Sequence, residues 1–181
     1  MKIAIITAIY DGYETLKPPL HQVTASGTDV EWICVTDGRP LPDADAAEGW
    51  QMICDPQGRV SHPNRAAKRP KLEPWRYTDA DASVWIDGSY RVTSPFFAQD
   101  AVFLAAGASI AQFVHPWRNC YFAEAAFSAG LAKYAGEPVE RQAAVYSERA
   151  CRWAGGCGPP GSSPVCTRRR SNTSARSGGT R

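Results

Sequence analysis

The stretch "SVWIDGSYRV", residues 83–92, places a single carboxylate, Asp87, at the end of an apolar run and follows it with Gly88. The β-branched and aromatic content of the run predicts a strand buried in the core. A carboxylate is a hard oxygen ligand of the kind that Mg²⁺ and Mn²⁺ bind, and glycine allows close backbone approach. The pair therefore predicts a ligand site at the strand's end, although Asp-Gly is more commonly just a turn.

A second group that could do chemistry is cationic and precedes this strand. Arg65, Lys68, Arg69 and Lys71 fall within seven positions. Arginine can clamp phosphate oxygens with two hydrogen bonds, and lysine can act as a point charge. The pattern predicts a site for a phosphorylated ligand, and the alternative is a basic loop exposed to solvent.

The third group lies in "HPWRNCYFAEA", where His115 ends an apolar run and Arg118 and Glu124 follow. An acid on an otherwise apolar helix face is costly unless it is paired. His115 and Glu124 therefore have two interpretations, which the sequence leaves open. They line a ligand pocket with one acting as a base, or Glu124 forms a structural pair with Arg118.

The elements that must position these groups alternate along the chain. Apolar runs predict strands at residues 2–7, 31–36, 50–54, 83–87 and 109–115. Residues 119–134 and 137–149 predict helices, and 62–73 a basic loop with a helical turn interrupted by Pro70. This order favours an α/β fold with a mostly parallel sheet, in which ligands bind at the carboxyl ends of strands. The polar residues at the predicted strand ends are Thr7, Tyr10, Asp37, Asp87, Ser89 and His115.

The charge distribution separates a body, residues 1–149, from a tail, residues 150–181. The tail contains six arginines and no acidic residue, with abundant Gly, Pro and Ser. Such a composition predicts disorder. It is either an arm for an anionic partner or, in the interpretation we favour, an out-of-frame extension. The basic charge lies in this tail rather than on a folded face, which argues against a nucleic-acid-binding domain.

Cysteine spacing and the amino-terminal residues indicate the compartment. The six cysteines form no CxxC pair and no readable metal or disulfide framework, which favours free thiols in a reducing compartment. The first apolar run is too short to span a membrane and reads as a strand rather than a signal peptide. We therefore expect a cytoplasmic protein.

Several ordered blocks carry a resemblance to a known family. "RAAKRPKLEPWRYTDADASVWIDGSYRV", "HPWRNCYFAEA" and "VERQAAVYSE" resemble the glycosyltransferase-like family named after plant turgor-regulation and mucilage-related proteins. The resemblance covers about residues 2–149 and implies a GT-A, Rossmann-type, mostly parallel sheet flanked by helices. The family pattern continues with a further strand-and-helix section, so we expect residues 1–149 to be an incomplete domain, truncated or frameshifted at its carboxyl end.

The resemblance implies transfer of a sugar from a nucleotide-sugar donor to an unidentified saccharide, lipid or protein acceptor. The alternative is an inactive relative that retains donor binding. Asp87 corresponds to a shortened D-x-D motif in which Ser89 replaces the second acid, and implies Mn²⁺ or Mg²⁺. The family has basic residues at Arg65, Lys68 and Lys71, whereas Arg69 is assigned to solvent. The donor-binding set is Thr7, Tyr10, Asp37, Arg65, Lys68, Lys71, Asp87, Gly88 and Ser89, and the catalytic pair is Glu124 and His115.

Overall fold

The structure is a computed structural model that describes residues 1–43, 45–56, 62–112, 117–118 and 120–154. The chain divides into two compact units, residues 1–113 and 114–181. The described part of the first unit contains the β-sheet and three α-helices, and that of the second contains two α-helices.

The sheet of the first unit has four parallel strands in the order β3-β2-β1-β4. Their bounds are β1 Lys2–Ile9, β2 Asp29–Thr36, β3 Gln51–Cys54 and β4 Ala82–Trp85. Four of the predicted strands are therefore present, and the predicted α/β class with a parallel sheet is confirmed.

Burial differs between the central and the outer strands. β1 is buried from Ile3 to its end, and β2 is buried over its last five residues, as expected for β-branched runs covered on both faces. β4 has no fully buried residue. The prediction of a buried strand before Asp87 is wrong, because β4 lies at an edge of the sheet with a neighbour on one side only.

Alternation of side chains gives the sheet two apolar faces. We call them the α3 face and the α2 face after the helices that cover them. The α3 face includes Ile3, Ile5, Ile9, Trp32 and Cys34, with Phe97, Ala98 and Val102 from the covering helix. The α2 face includes Ala4, Ile6, Ala8, Ile33, Val35 and Trp85, packed by Ala66, Ala67 and Tyr77.

The helices of the first unit are α1 Pro63–Ala66, α2 Lys68–Leu72 and α3 Phe97–Ala105. The helical segment breaks at Ala67, because Pro70 has no N–H to donate to Ala66. Pro70 is tolerated as the third residue of α2, where an N–H would have no partner within the helix. It is buried, so α2 contacts the core through its proline. The prediction of a helical turn interrupted at Pro70 is wrong in its position, because Pro70 lies inside α2 and the break is at Ala67. Helix α3 was not predicted.

The strand register staggers the carboxyl edge of the sheet. Ile9 pairs with Thr36, and Thr36 pairs with Cys54, so β1, β2 and β3 end at one level. Trp85 pairs with Ile6, so β4 ends three residues lower than β1. The ladder continues for one further bond, from the Ile86 N–H to the Ile6 carbonyl at 3.0 Å.

The second unit contains α4, Tyr121–Ala129, and α5, Val139–Ala154, which pack against each other. Both predicted helices are confirmed in shortened or shifted form. Helix α5 continues five residues past Arg149, where we placed the boundary of the tail, and the remaining tail residues, 155–181, lie outside the described residues.

The predicted fifth strand, 109–115, is wrong over residues 109–112, which are irregular. They follow a turn at Gly107 with φ of +78°, and Ile110 is 71% exposed rather than buried in a sheet. Residues 113–115 lie outside the described residues. Among the described residues, none of the helices combines the length and apolarity needed to span a bilayer.

Candidate functional site

Three polar residues directly follow the strands that end level: Tyr10 after β1, Asp37 after β2 and Asp55 after β3. We call these three the edge row. Each comes two residues after a side chain of the α2 face, namely Ala8, Val35 and Ile53. Alternation therefore directs all three toward the face covered by α1 and α2. Tyr10 and Asp37 were predicted from the sequence, whereas Asp55 was not.

Tyr10 forms the centre of the edge row and is only 2% exposed. Burial raises the pKa of its phenol, and the neighbouring Tyr77 and Asp55 raise it further. The phenol therefore stays neutral at physiological pH. Tyr10 therefore packs as a buried, neutral ring beneath the surface of the carboxyl edge.

Asp37 forms hydrogen bonds with the turns that follow β1 and β2. Its Oδ2 accepts a 3.2 Å hydrogen bond from the Asp11 N–H, and its Oδ1 accepts one of 3.1 Å from the Arg39 N–H. Arg39 also forms ion pairs with Asp37 and with Asp11. Asp37 is 2% exposed, whereas the Arg39 side chain is 49% exposed. The surface group presented here is thus Arg39, which sequence reasoning missed, held in place by two carboxylates.

The turn after β1 has an unusual backbone that this arrangement supports. Asp11 and Gly12 both have positive φ, +59° and +62°, and the Tyr13 N–H donates to the Tyr10 carbonyl at 3.2 Å. Positive φ is costly for a residue other than glycine, although aspartate tolerates it better than most. The hydrogen bond from the Asp11 N–H to Asp37 helps to hold this conformation.

Asp55 holds two groups from the α2 face. Its Oδ2 accepts a 2.7 Å hydrogen bond from the Tyr77 hydroxyl and lies 3.6 Å from Nη1 of Arg69. Burial, followed by this hydrogen bond, raises the pKa of Tyr77 to about 12. The assignment of Arg69 to solvent is therefore wrong, because a largely buried carboxylate at the end of β3 pairs with it.

The other three cations of this segment are exposed. Arg65 is in α1, and Lys68 and Lys71 are in α2. The ammonium of Lys71 lies 5.6 Å from the centre of the Trp85 ring, a cation–π contact. Lys71 therefore places positive charge beside Trp85 at the end of β4, and a phosphate-binding role for the three cations stays a prediction.

Asp87 is exposed, and its Oδ1 accepts a 2.9 Å hydrogen bond from the indole Nε1–H of Trp85. Ser89 is exposed beyond it. Gly88 is buried against Glu14: a Cβ at position 88 would lie 2.6 Å from Glu14 Oε2 and 3.3 Å from Ile9 Cγ1. The structural role of this glycine is thus close packing against Glu14 and Ile9, a different reason from the ligand approach that we predicted.

Thr7 does not lie at a strand end. β1 continues to Ile9, and Thr7 is fully buried with a hydroxyl that has no hydrogen-bond partner among the described residues. The prediction that Thr7 follows the first strand is wrong, because the apolar run extends two residues further than we expected. Its side chain belongs to the interior rather than to the edge.

In the second unit, Glu124 forms an ion pair with Arg118. Its other oxygen accepts a 3.2 Å hydrogen bond from the Ser128 hydroxyl, and the Arg118 guanidinium lies 4.0 Å from the Phe127 ring centre. Of the two interpretations of Glu124, this geometry matches the structural pair. His115 lies outside the described residues.

The described part of the chain holds no group of three His, Cys, Asp or Glu side chains that could bind a metal ion by themselves. Asp87 offers one exposed carboxylate with its orientation fixed by Trp85. Mg²⁺ is commonly held by one or two carboxylates together with substrate phosphates. The residues present therefore fit a cation shared with a phosphorylated ligand.

The parallel sheet with helices defines an α/β domain, and its carboxyl edge carries acids, a tyrosine and flanking cations. Residues 1–154 match the model of the family described as TOD1/MUCI70, glycosyltransferase-like domain, and the chain belongs to that family. Neither the curated proteins nor the solved structures gave a match.

Proposed function

We propose that this protein binds a nucleotide-sugar donor along the carboxyl edge of its sheet, on the α2 face, and transfers the sugar to an acceptor. Membership of a glycosyltransferase-like family supports the general activity. The observation that carries the finer proposal is the placement of Lys68 and Lys71. Lys71 lies over the ring of Trp85, which orients Asp87, and Lys68 is exposed one turn earlier on the same helix.

The cations would bind the diphosphate of the donor. Lys68 and Lys71 supply compact charges, and Arg65 can pair with two phosphate oxygens at once. Charge-assisted hydrogen bonds of this kind are about twice as strong as neutral ones. They would also stabilise the negative charge that develops on the diphosphate as the sugar leaves.

Asp87 would hold Mn²⁺ or Mg²⁺ jointly with the donor phosphates, with Gly88 and Ser89 in the adjoining turn. Such a cation supplies Lewis-acid stabilisation of the leaving group. The contribution of the chain is to keep the Asp87 carboxylate in one orientation through the 2.9 Å hydrogen bond from Trp85.

The acceptor, a saccharide, lipid or protein, would need a base for its hydroxyl group. His115 remains a proposal from the sequence. Glu124 could serve only if it leaves Arg118, with which it is paired in this structure. An ion-paired Glu124 favours the alternative proposal, a relative that binds donor without turnover.

Calorimetry with a panel of nucleoside diphosphates, with and without Mn²⁺, tests donor binding. We expect at least one to bind, and the double variant K68Q/K71Q to bind at least about tenfold more weakly, with a shallower dependence on salt. The matched control is Arg76→Gln, which removes an exposed charge paired with Glu73 just beyond α2. A folded protein that binds none of the panel, or an equal loss in the control, would contradict the proposal.

Donor hydrolysis or transfer then separates an enzyme from a binding-only relative. Release of free sugar from a nucleotide-sugar that the panel identifies would support an enzyme. Binding of the same donor with no turnover across acceptors of the three classes would support the binding-only alternative.

A further inference from the structure

We propose that Asp55 is a positioning residue that fixes helix α2, so that Lys68 and Lys71 present their charges to the donor phosphates. The inference rests on the proposed function of those two lysines. Asp55 was not predicted from the sequence, and neither it nor Arg69 has a role in the donor chemistry described above. Their contacts connect the end of β3 to the phosphate-binding helix.

The position of Asp55 follows from the strand register. It continues β3 one residue beyond Cys54, and its N–H donates to the Thr36 carbonyl at 2.7 Å. The backbone at Asp55 is therefore fixed to β2, which is a central strand. Its side chain is only 13% exposed, and a carboxylate so buried requires charged and hydrogen-bonding partners. Arg69 and Tyr77 are two of them.

Helix α2 cannot fix its own orientation. It has five residues, and helices of this length are unstable alone, so tertiary contacts must hold it. Pro70 contacts the core, and α2 packs on β1 in the centre of the sheet. Arg69 reaches toward β3 through Asp55, and Lys71 reaches toward β4 through Trp85. The helix is thus held on both sides of its central contact.

Loss of the Asp55 charge should break the ion pair that joins α2 to the end of β3, without unfolding the unit. The Arg69 side chain is already 40% exposed and can be solvated by water. Asparagine at position 55 can still accept the hydrogen bond from Tyr77. The helix could then shift about its contact through Pro70. A displacement of about 1 Å is enough to weaken greatly the interaction of a lysine ammonium with a bound phosphate.

The test is a double-mutant cycle between Asp55→Asn and K68Q/K71Q, with nucleoside diphosphate affinity measured by calorimetry. We expect Asp55→Asn to weaken binding about tenfold in the wild-type background and to have no further effect in K68Q/K71Q. Asp79→Asn is the matched control, since this exposed acid pairs with Lys2 at the opposite, amino-terminal edge. It should leave the affinity unchanged. Additive losses in the cycle, or an unchanged affinity in Asp55→Asn, would overturn the inference.

A second measurement needs no ligand. Hydrogen exchange of the α2 amides should be faster in Asp55→Asn, whereas exchange in β1 and β2 should be unchanged. Weaker binding with unchanged α2 exchange would mean that Asp55 contacts the ligand directly, and would overturn the positioning role. If the wild type binds no nucleoside diphosphate, the proposed function fails. Exchange then decides separately whether Asp55 fixes α2.

Discussion

The indole Nε1–H of Trp85 donates a hydrogen bond of 2.9 Å to Oδ1 of Asp87. The last residue of β4 thereby holds the carboxylate that follows it two positions later. The same indole ring lies under the ammonium of Lys71. One tryptophan therefore contacts both an anion, Asp87, and a cation, Lys71, of the candidate site. The apolar strand thus provides the exposed carboxylate with a partner that fixes its orientation.

Asp87→Asn should remove the metal-dependent part of nucleoside diphosphate binding and spare the metal-independent part. Asparagine can still accept the hydrogen bond from Trp85, but it lacks the negative charge that attracts a divalent cation. Calorimetry with and without Mn²⁺ measures both parts. Asp79→Asn, which removes an exposed acid paired with Lys2 outside the donor-binding set, is the control and should change neither. Equal Mn²⁺ enhancement in wild type and Asp87→Asn would exclude Asp87 as a ligand.

Gly88→Ala should lower the free energy of unfolding by at most about 1 kcal/mol, the low end of the cost of overpacking, because the nearest atom belongs to the movable end of a side chain. The added Cβ would lie 2.6 Å from Glu14 Oε2, so the Glu14 side chain must move. Urea denaturation should show a smaller effect of Gly88→Ala in a Glu14→Ala background, where that oxygen is absent. The same loss in both backgrounds would show that the contact with Glu14 is not the cause.

Thr7→Val should raise the free energy of unfolding by about 1 kcal/mol, because it removes a buried hydroxyl that lacks a partner among the described residues. The matched control is Thr36→Val on the neighbouring strand. The Thr36 hydroxyl accepts a 3.2 Å hydrogen bond from the Gly38 N–H, so this variant should be destabilised. Nucleoside diphosphate binding should be unchanged in Thr7→Val. Weaker binding would show that Thr7 contributes to donor binding after all.

Tyr77 should make the fold less stable at alkaline pH. Its pKa is raised to about 12 in the folded protein, against about 10 in the unfolded chain. The folded state therefore retains the proton between these values. Its stabilising contribution is complete below pH 10 and is lost as the pH rises toward 12.

Denaturation between pH 9 and 11.5 should show a smaller decline in Tyr77→Phe than in wild type. Tyr13→Phe, at an exposed tyrosine, is the control and should decline as the wild type does. A Tyr77→Phe variant that declines as steeply as wild type would contradict the assignment of this pKa shift to Tyr77.

The sequence was sufficient for the four strands of the sheet and for much of the polar edge, because burial and alternation are reflected in residue type. β1 and β2 are β-branched runs, and Asp37 and Asp87 directly or closely follow apolar runs. The same signal was present at Asp55, an acid after "WQMIC". The preceding strand is short, so its pattern is a weak signal, and Asp55 was not predicted as a residue at a strand end.

The remaining features depend on pairings between distant parts of the chain, which one sequence does not encode locally. Arg69 acquires its role from Asp55, and Gly88 from Glu14, each through a tertiary contact. The false strand at 109–112 is a different kind of error. Its apolar side chains are typical of a strand, but this segment does not pair with the sheet. Apolar residues at a surface are common, so composition alone could not separate the two outcomes.

The stagger of the sheet has a consequence for the shape of a ligand that lies across it. Asp87 continues β4 to about the level of Ala8, two residues below Tyr10. At about 3.3 Å per residue, the carboxylate lies roughly 6–7 Å below the edge row. A donor bound as we propose would have to reach across this step to contact both the edge row and Asp87. Its diphosphate and its sugar would then lie at different heights above the sheet.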